Sequence, residues 1–301
     1  MADTAGQMKI GVMQSSMQNG HAHFDVTKRL ARAVEAEGLD SFWIADHLIY
    51  RFPPKPESGI WEVFTLLGGV AAITERIQFG PLVACTGFRN PALLAKIADT
   101  LDEMSGGRFI LGLGAGWHEP EYEAFGYPFD HRVGRFDEAL QIVVPLLREG
   151  HVDFHGTYYE ATNSALIPRG PSPSGPPIWV GGKGPRMLRL TAQYADGWNT
   201  VWHLDPAIVA ERWAGVEAAC REVGRDPATL TLTAGTNVHV LGSGESPGEG
   251  DDKRITGTPE EVAARLRGFA DIGVRHLIVI LESNEPEAVA RFGRAAALLR
   301  E

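Results

Sequence analysis

The chain alternates between short apolar segments and amphipathic helical segments through almost its whole length. Continuous apolar runs separated by helices are typical of parallel strands buried on both faces. The predicted strands are Lys9–Met13, Ser41–Ala45, Ile77–Ala84, Arg108–Leu113, Ile178–Gly181, Gly197–Thr200, Leu230–Leu241 and Val274–Leu281. The predicted helices are Phe24–Glu37, Trp61–Thr74, Pro91–Met104, Arg132–Glu149, Pro185–Tyr194, Pro206–Val223, Pro259–Ile272 and Glu287–Leu299. Eight such pairs in 301 residues predict an α/β fold, a (β/α)8 TIM barrel, with an open doubly wound sheet as the alternative.

The alternation breaks once, after the fourth predicted helix. Val152–Tyr159 has no helical period, and Ile167–Pro177 is rich in proline. We expect a short hairpin and an extended loop here, inserted over the barrel at about residues 151–177. The alternation then resumes, so residues 1–301 are predicted to form a single domain.

Polar, aromatic and glycine-rich residues directly follow the predicted strands. In a (β/α)8 barrel the functional residues lie at the carboxyl ends of the strands, which together form the mouth of the barrel. The composition of these segments therefore agrees with the predicted fold. They are Gln14–Gln18, Asp46–His47, Cys85–Arg89, Gly114–Trp117, Gly181–Gly184 and Trp198–Trp202.

The charge and the cysteine count exclude several kinds of partner. The formal net charge is −10, which argues against a nucleic acid or an anionic membrane as partner because both carry negative phosphates. Cys85 and Cys220 are too few and too far apart in sequence for a disulfide framework or a zinc cluster, so we predict no metal site. No apolar run spans a bilayer, and the first residues lack the apolar core of a secretory signal. We therefore expect a soluble, cytoplasmic protein.

Several strand-end segments belong to a longer, ordered set of motifs. The set comprises Asp46-His47-Leu48, Thr74–Lys96, Ser105–Gly126, His131–Leu140, Gly156–Tyr159, Pro176–Pro185 and Ala195–Asn199. In this order it resembles the bacterial-luciferase-like monooxygenase superfamily over almost the entire chain, and it is most similar to the branch that uses the deazaflavin coenzyme F420. The resemblance implies a barrel with an insertion near its middle, a cofactor ring in the mouth, a phosphate site after the fifth strand and, often, a homodimer.

The pair Asp46-His47 follows a buried strand and is the first candidate for catalysis. An imidazole near its ordinary pKa can serve as a general acid or base at neutral pH. The resemblance implies that the pair lies close to the cofactor ring and takes part in proton transfer. The alternative is structural: His47 caps the following loop and Asp46 binds backbone groups.

The end of the third strand, Leu82, Val83 and Ala84, is a candidate support for the ring. The resemblance implies a bulge here with a non-prolyl cis peptide bond between Leu82 and Val83, against the rear face of the ring. An ordinary strand end is the alternative, because sequence alone does not reveal a cis bond.

The glycine-rich run 112–117 ends the fourth strand. It resembles a dinucleotide fingerprint only superficially, since that fingerprint belongs to the first strand of a Rossmann fold. We interpret Gly114, Ala115, Gly116 and Trp117 instead as backbone that closely approaches a flat ring. Glu119 is a candidate acid by resemblance. His118-Glu119-Pro120 is not a zinc-binding helix, because the proline interrupts it and no second histidine follows.

The segment Gly181, Gly182, Lys183 and Gly184 precedes a helix that opens on proline, and it is the best candidate anion site. Free N–H groups and the helix dipole favour phosphate at such a terminus, although an ordinary glycine turn has the same composition. Its spacing is not that of a Walker A loop.

The remaining candidates are weaker, and each has a structural alternative. They are Trp198 and Trp202 for ring stacking or core packing, Arg132 and Arg135 for anion contacts or surface ion pairs, Glu62 as a family acid or a helix-dipole partner, and the stretch Gln14–His23 as a substrate wall.

We expect a small-molecule substrate, and three functions are possible for this chain. The first is hydride transfer between coenzyme F420 and an organic substrate, with His47 as proton donor or acceptor. The second is an FMN-dependent monooxygenase that uses reduced flavin and oxygen. The third is a cofactor-binding protein without catalysis.

Overall fold

The computed structural model describes residues 7–15 and 23–301, and its strands form one nearly closed parallel barrel and one separate hairpin. The strands are β1 Lys9–Gln14, β2 Ser41–Ile44, β3 Gln78–Pro81, β4 Ala84–Cys85, β5 Leu111–Gly114, β6 His151–His155, β7 Glu160–Ala165, β8 Ile178–Gly181, β9 Gly197–Thr200, β10 Thr231–Val240, β11 Ile255–Gly257 and β12 His276–Leu281. The helices are α1 Phe24–Ala36, α2 Val63–Ile73, α3 Pro91–Ser105, α4 Glu119–Phe125, α5 Arg132–Glu149, α6 Pro185–Tyr194, α7 Pro206–Glu222, α8 Pro259–Asp271 and α9 Pro286–Leu298.

The parallel strands follow the order β3-β2-β1-β12-β10-β9-β8-β5-β4, with β11 added beside β10. The two ends of this path, β3 and β4, are consecutive pieces of one barrel strand, so the path closes on itself. Phe79 at the β3 end forms a parallel bridge with Phe109, just before β5. Counting β3 and β4 together gives eight strand positions, and the predicted (β/α)8 barrel is confirmed.

Two apolar cores hold this arrangement, one between the barrel and its helices and one inside the barrel. The inner core is built around Trp43 and Trp179, whose rings stack with centroids 4.8 Å apart. Below them His276 is buried, with 3% of its surface exposed, and its Nε2 lies 2.6 Å from the Ser41 hydroxyl. The barrel interior is therefore filled with side chains, and a ligand has room only at an end of it.

Local sequence signals explain where the helices begin and end. Asn90 caps α3 by accepting hydrogen bonds from the N–H groups of Ala92 and Leu93, and Pro91 opens its first turn. Gly106 ends the same helix with φ 65°, a left-handed conformation that glycine adopts without a steric penalty. Of these signals, Pro91 is the one at which the predicted helix Pro91–Met104 begins.

The structure corrects several boundaries. The predicted strand Ile77–Ala84 is interrupted at Leu82-Val83, and α2 begins at Val63 rather than at Trp61. The sequence interpretation missed α4 altogether, because Pro120 was taken to prevent a helix. The proline instead occupies the first turn of α4, where its missing N–H has no intrahelical acceptor to lose.

The insertion consists of the antiparallel hairpin β6–β7, which is longer than predicted, followed by an extended segment. Glu138 on α5 binds the hairpin turn. Its carboxylate accepts hydrogen bonds from the N–H groups of Thr157, Tyr158 and Tyr159 at 2.7 to 3.0 Å. The insertion is thus anchored to the helix that precedes it.

Candidate active site

The carboxyl ends of the barrel strands bring together most of the segments selected from the sequence. His47 follows β2, the Leu82-Val83 bulge joins β3 to β4, Ala115 follows β5, and Gly182 follows β8. Residues 16–22 of the proposed substrate wall lie outside the described residues.

His47 lies at this end of the barrel and has a buried carboxylate as its hydrogen-bond partner. Its Nδ1 lies 2.6 Å from Oε1 of Glu121, and its side chain is 15% exposed. Because a carboxylate accepts but does not donate, Nδ1 is the donor and carries a proton. Nε2 makes no hydrogen bond within the described part of the chain, and is therefore available as a base when neutral or as an acid when protonated.

Glu121 is buried, with 1% of its side chain exposed, and its second oxygen is also occupied. Oε2 accepts hydrogen bonds from the N–H groups of Leu48 at 2.5 Å and Ile49 at 3.4 Å. The sequence interpretation named Glu119 instead, two positions away and exposed. Recognising the short helix α4 from Pro120 and the terminal Gly126 would have shown that Glu121 faces inward.

Asp46 has a different environment from its neighbour. Its carboxylate forms two hydrogen bonds with the Arg89 guanidinium, at 2.6 and 3.0 Å, and accepts a third from the Cys85 N–H at 2.8 Å. With 1% of the side chain exposed, these contacts leave it no access to a ligand. This geometry favours the structural alternative, in which Asp46 fixes the exit of β2 against the end of β4.

Arg89 continues this network to the start of α2. Burial alone would lower the pKa of Arg89, but the carboxylates of Asp46 and Glu62 outweigh it and raise that pKa. Glu62 also caps α2 by accepting the Thr65 N–H at 2.7 Å. The helix-end interpretation of Glu62 is therefore the one that the structure supports.

The peptide bond between Leu82 and Val83 is cis, as the resemblance predicted. The glycines of neighbouring strands accommodate this bulge. A Cβ atom on Gly114 would lie 2.7 Å from the Val83 side chain, and one on Gly112 would lie 2.2 Å from the Pro81 carbonyl oxygen. The glycines at the end of the fourth predicted strand therefore make room for the bulge.

Gly116 is explained by the same kind of contact. Its φ is +75°, and a Cβ there would clash with the Tyr122 hydroxyl. That hydroxyl donates to the Ala115 carbonyl at 3.1 Å and lies 2.9 Å from the Cys85 sulfur. Burial raises the pKa of Cys85 to about 12, so the thiol stays protonated at neutral pH.

The segment Gly181–Gly184 forms an open turn at the start of α6. Gly184 has φ +87°, and a Cβ on it would meet no atom within 4 Å. The first N–H groups of α6 have no intrahelical acceptor, so the open space lies beside free donors. Lys183 is exposed at the same turn. Open space, free donors and a lysine thus occur together at this turn.

Trp198 contacts this turn from the outer core and does not face the mouth. Its side chain is buried in the outer core, and its indole N–H donates to the Gly182 carbonyl at 3.1 Å. The expectation that Trp198 stacks on a ring is therefore replaced by a packing role, because its strand position points toward the helices. Trp202, in contrast, is half-buried and packs with Val83 against the inner core.

Arg132 and Arg135, in the first part of α5, have local partners. Arg132 lies over the Phe129 ring, 3.7 Å from its centroid, and Arg135 pairs with Asp130 at 3.0 Å. Arg132 and Arg186 line a cavity of about 470 Å³ between α5 and α6. These contacts favour the structural interpretation of Arg132 and Arg135.

Within 7–15 and 23–301, no three His, Cys, Asp or Glu side chains are grouped so as to hold a metal ion. None of the helices in these ranges is both long enough and apolar enough to cross a membrane.

Comparison with known proteins identifies the family. The sequence profile of luciferase-like monooxygenases matches residues 7–246. The phthiodiolone/phenolphthiodiolone dimycocerosates ketoreductase of Mycobacterium tuberculosis is 34% identical over 221 residues, which cover 67% of this chain and 58% of that protein. The chain thus matches less than two thirds of that relative's length.

Two other similarities extend over more of the chain. Pyrimidine monooxygenase RutA of Enterobacter cloacae is 30% identical over 275 residues, covering 85% of this chain and 69% of that protein. An F420-dependent secondary alcohol dehydrogenase, solved with an F420-acetone adduct, has a TM-score of 0.82 at 19% identity, covering 98% of this chain and 100% of that one. At this identity the structural likeness shows a shared barrel fold. The profile match, which covers most of the sequence, shows that the chain belongs to the luciferase-like monooxygenase family.

Proposed function

We propose that this chain is an oxidoreductase that transfers hydride between the deazaflavin coenzyme F420 and a small carbonyl or alcohol substrate. The observation that carries the proposal is the 2.6 Å contact between His47 Nδ1 and buried Glu121, which leaves His47 Nε2 available at the mouth. Interconversion of a carbonyl and an alcohol requires one proton besides the hydride, and a positioned imidazole is suited to supply or remove it.

Glu121 performs two tasks in this proposal. It holds the imidazole in the tautomer with a proton on Nδ1, so that the lone pair of neutral His47 is on Nε2. Its negative charge also stabilises the imidazolium that forms when Nε2 takes a proton from an alcohol. The same histidine then returns that proton when the reaction runs toward the alcohol.

The residues of the mouth fit a phosphate-bearing cofactor with a flat ring. The open turn at Gly184 and the free N–H groups of α6 would hold the phosphate. The half-buried side chains Val83, Trp202 and Ile280 form an apolar floor on which a ring would lie, beside His47 and Ala115.

The names of two relatives favour carbonyl chemistry and the deazaflavin. One is called a ketoreductase, and another an F420-dependent secondary alcohol dehydrogenase. RutA is called a pyrimidine monooxygenase, which favours the reduced-flavin alternative. We infer hydride transfer with F420 rather than the monooxygenase reaction, because His47 and Glu121 provide the proton transfer that the interconversion of a carbonyl and an alcohol needs.

Cofactor binding and turnover test the proposal. The purified protein is titrated with F420 and with FMN, in oxidised and reduced forms, and then assayed with ketones and secondary alcohols under nitrogen and under air. The proposal predicts tight F420 binding and turnover that is independent of oxygen. Tight FMN binding with oxygen-dependent turnover and no affinity for F420 would overturn it.

We also infer that the protein is a homodimer, from the family resemblance, and that it is cytoplasmic, from the composition. Light scattering of the purified protein at several concentrations tests the dimer. A mass of one chain, 32.7 kDa, at all concentrations would contradict it.

A further inference from the structure

A group of aromatic side chains lies next to His47 on two loops of the mouth. We call the rings of Tyr50, Phe52, Trp117 and His118 the aromatic rim. Tyr50 lies 4.3 Å and Trp117 5.7 Å from the His47 ring, measured between centroids. Phe52 stacks on Trp117 at 6.2 Å with an interplanar angle of 18°. The rim is therefore continuous with the proposed proton-transfer site.

Backbone hydrogen bonds hold the rim in place. The Arg51 N–H donates to Nε2 of His118 at 3.1 Å, which joins the loop after β2 to the loop after β5. Tyr50 and Ser58 form an antiparallel bridge that closes the first loop on itself. These bonds restrict the positions of the two loops, and such restriction reduces the entropy that binding must cost.

The exposed part of the rim is apolar. Trp117 is 60% exposed and Phe52 37% exposed, which is a large aromatic surface to leave in water. Arg51, the charged neighbour of Phe52, pairs with Glu57 at 2.7 Å. Burial lowers the pKa of His118, which keeps its ring neutral at neutral pH. The surface therefore suits an apolar group better than a carboxylate or phosphate.

The floor of the mouth is also apolar. Val201 is 37% exposed, and Val83, Trp202 and Ile280 are half-buried around the inner core. Binding sites for apolar ligands combine such surfaces with a few placed polar groups, and His47 is the polar group here.

We propose that the aromatic rim binds the apolar part of the substrate, so that the preferred substrates are ketones or secondary alcohols with an alkyl chain or an aromatic ring. This substrate class rests on the proposed function, whereas the apolar ligand preference of the rim does not depend on it. Trp117 and Phe52 are specificity-determining residues in this proposal, and they take no part in proton transfer.

The test compares two ketones that share the reacting group, methyl ethyl ketone and methyl hexyl ketone. Their kcat/KM values are measured with reduced F420 for the wild type, Trp117→Ala, Trp117→Phe and Met104→Ala. Met104 is a matched control, because it is an apolar side chain 51% exposed at the opposite end of α3, away from the mouth. Binding of methyl hexyl ketone is measured separately by calorimetry, which needs no turnover.

The wild type is expected to favour methyl hexyl ketone by about tenfold or more, because each buried methylene adds binding energy. Trp117→Ala should reduce this preference to about threefold or less, while Trp117→Phe and Met104→Ala keep most of it. Turnover of both ketones at equal efficiency would overturn this inference and leave the proposed function standing. If neither ketone is turned over but methyl hexyl ketone binds and its binding requires Trp117, the proposed function is overturned and the apolar ligand preference of the rim is supported. Absence of ketone binding would overturn the inference whatever the turnover.

Discussion

Glu121 Oε1 lies 2.6 Å from Nδ1 of His47, although 74 residues separate the two in the chain. The contact joins the first turn of α4 to the exit of β2, and both residues are far more buried than their polarity favours. A buried carboxylate of this kind requires partners for both oxygens, and His47 and the Leu48 N–H supply them. The arrangement fixes one imidazole nitrogen and leaves the other available.

Replacing Glu121 separates its two tasks. Glu121→Gln loses the charge and has one acceptor oxygen, so it can accept from Nδ1 only if its NH2 group faces the Leu48 N–H, and we expect kcat to fall about tenfold. Glu121→Ala removes both and leaves the Leu48 N–H without its acceptor, so a loss of about a hundredfold is expected, with a lower melting temperature. Steady-state kinetics and thermal unfolding check this. Equal activity in all three proteins would mean that Glu121 only packs α4.

Asp46→Asn tests whether Asp46 has a structural or a catalytic role. The substitution leaves the buried Arg89 charge without its main partner, and we expect the free energy of unfolding to fall by about 3 kcal/mol. Glu62→Gln, at the 43% exposed end of the same network, should cost less than about 1 kcal/mol. Denaturant unfolding measures both. If Asp46→Asn were fully stable but inactive, Asp46 would be catalytic, as the sequence first suggested.

The phosphate site can be tested with a pair of glycines. Gly184→Ala and Gly224→Ala both place a methyl group on a residue with positive φ and open surroundings, and each should cost about 1 kcal/mol of stability. Gly224 follows α7, at the other end of the barrel from the mouth. Only Gly184→Ala is expected to raise the cofactor Kd, by about tenfold, since its methyl group lies where phosphate would approach the α6 N–H groups. Equal cofactor affinities in the two variants would argue against a phosphate at this turn.

His276 predicts how stability depends on pH. Burial lowers the pKa of His276 to about 3, with a smaller contribution from Lys9. Between that value and the unfolded pKa of about 6.5, the unfolded chain binds one proton more than the folded one. Stability from this group is therefore complete above pH 6.5 and is lost by about 1.4 kcal/mol per unit as the pH falls.

The variant His276→Gln isolates this effect, because it removes the titrating group. Between pH 7 and pH 5 its unfolding free energy should fall by about 2 kcal/mol less than that of the wild type. Urea unfolding at the two pH values measures the difference. Identical losses in both proteins would show that His276 is protonated or accessible in the folded state.

The barrel was predictable because its signal is local and repeated. Each strand and helix has its own period and end signals, as Asn90 and Gly106 show for α3. The order of motifs along the chain then indicated the position of the cis bond at Leu82-Val83. These features depend on residues close together in sequence.

The rest depends on which way a side chain faces. Glu121 was missed because its role depends on the face that a seven-residue helix turns toward β2. For Trp198 both ring stacking and core packing stayed open, because a four-residue strand gives too short a pattern to separate its two faces. Trp198 points to the helices, while Asn199 beside it donates to Thr233 at 2.9 Å. The contact of Gly114 with Val83 was not predictable, because the bulge lies on another strand.

A single-turnover measurement with His47→Asn tests whether His47 transfers the proton that accompanies hydride transfer. The rate of hydride transfer between bound F420 and a ketone or alcohol is followed by rapid mixing, and the cofactor Kd is measured on the same samples. We expect a rate at least about a hundredfold below the wild type, with a Kd within about threefold, because His47 moves a proton and does not hold the phosphate. A wild-type rate in His47→Asn would contradict it.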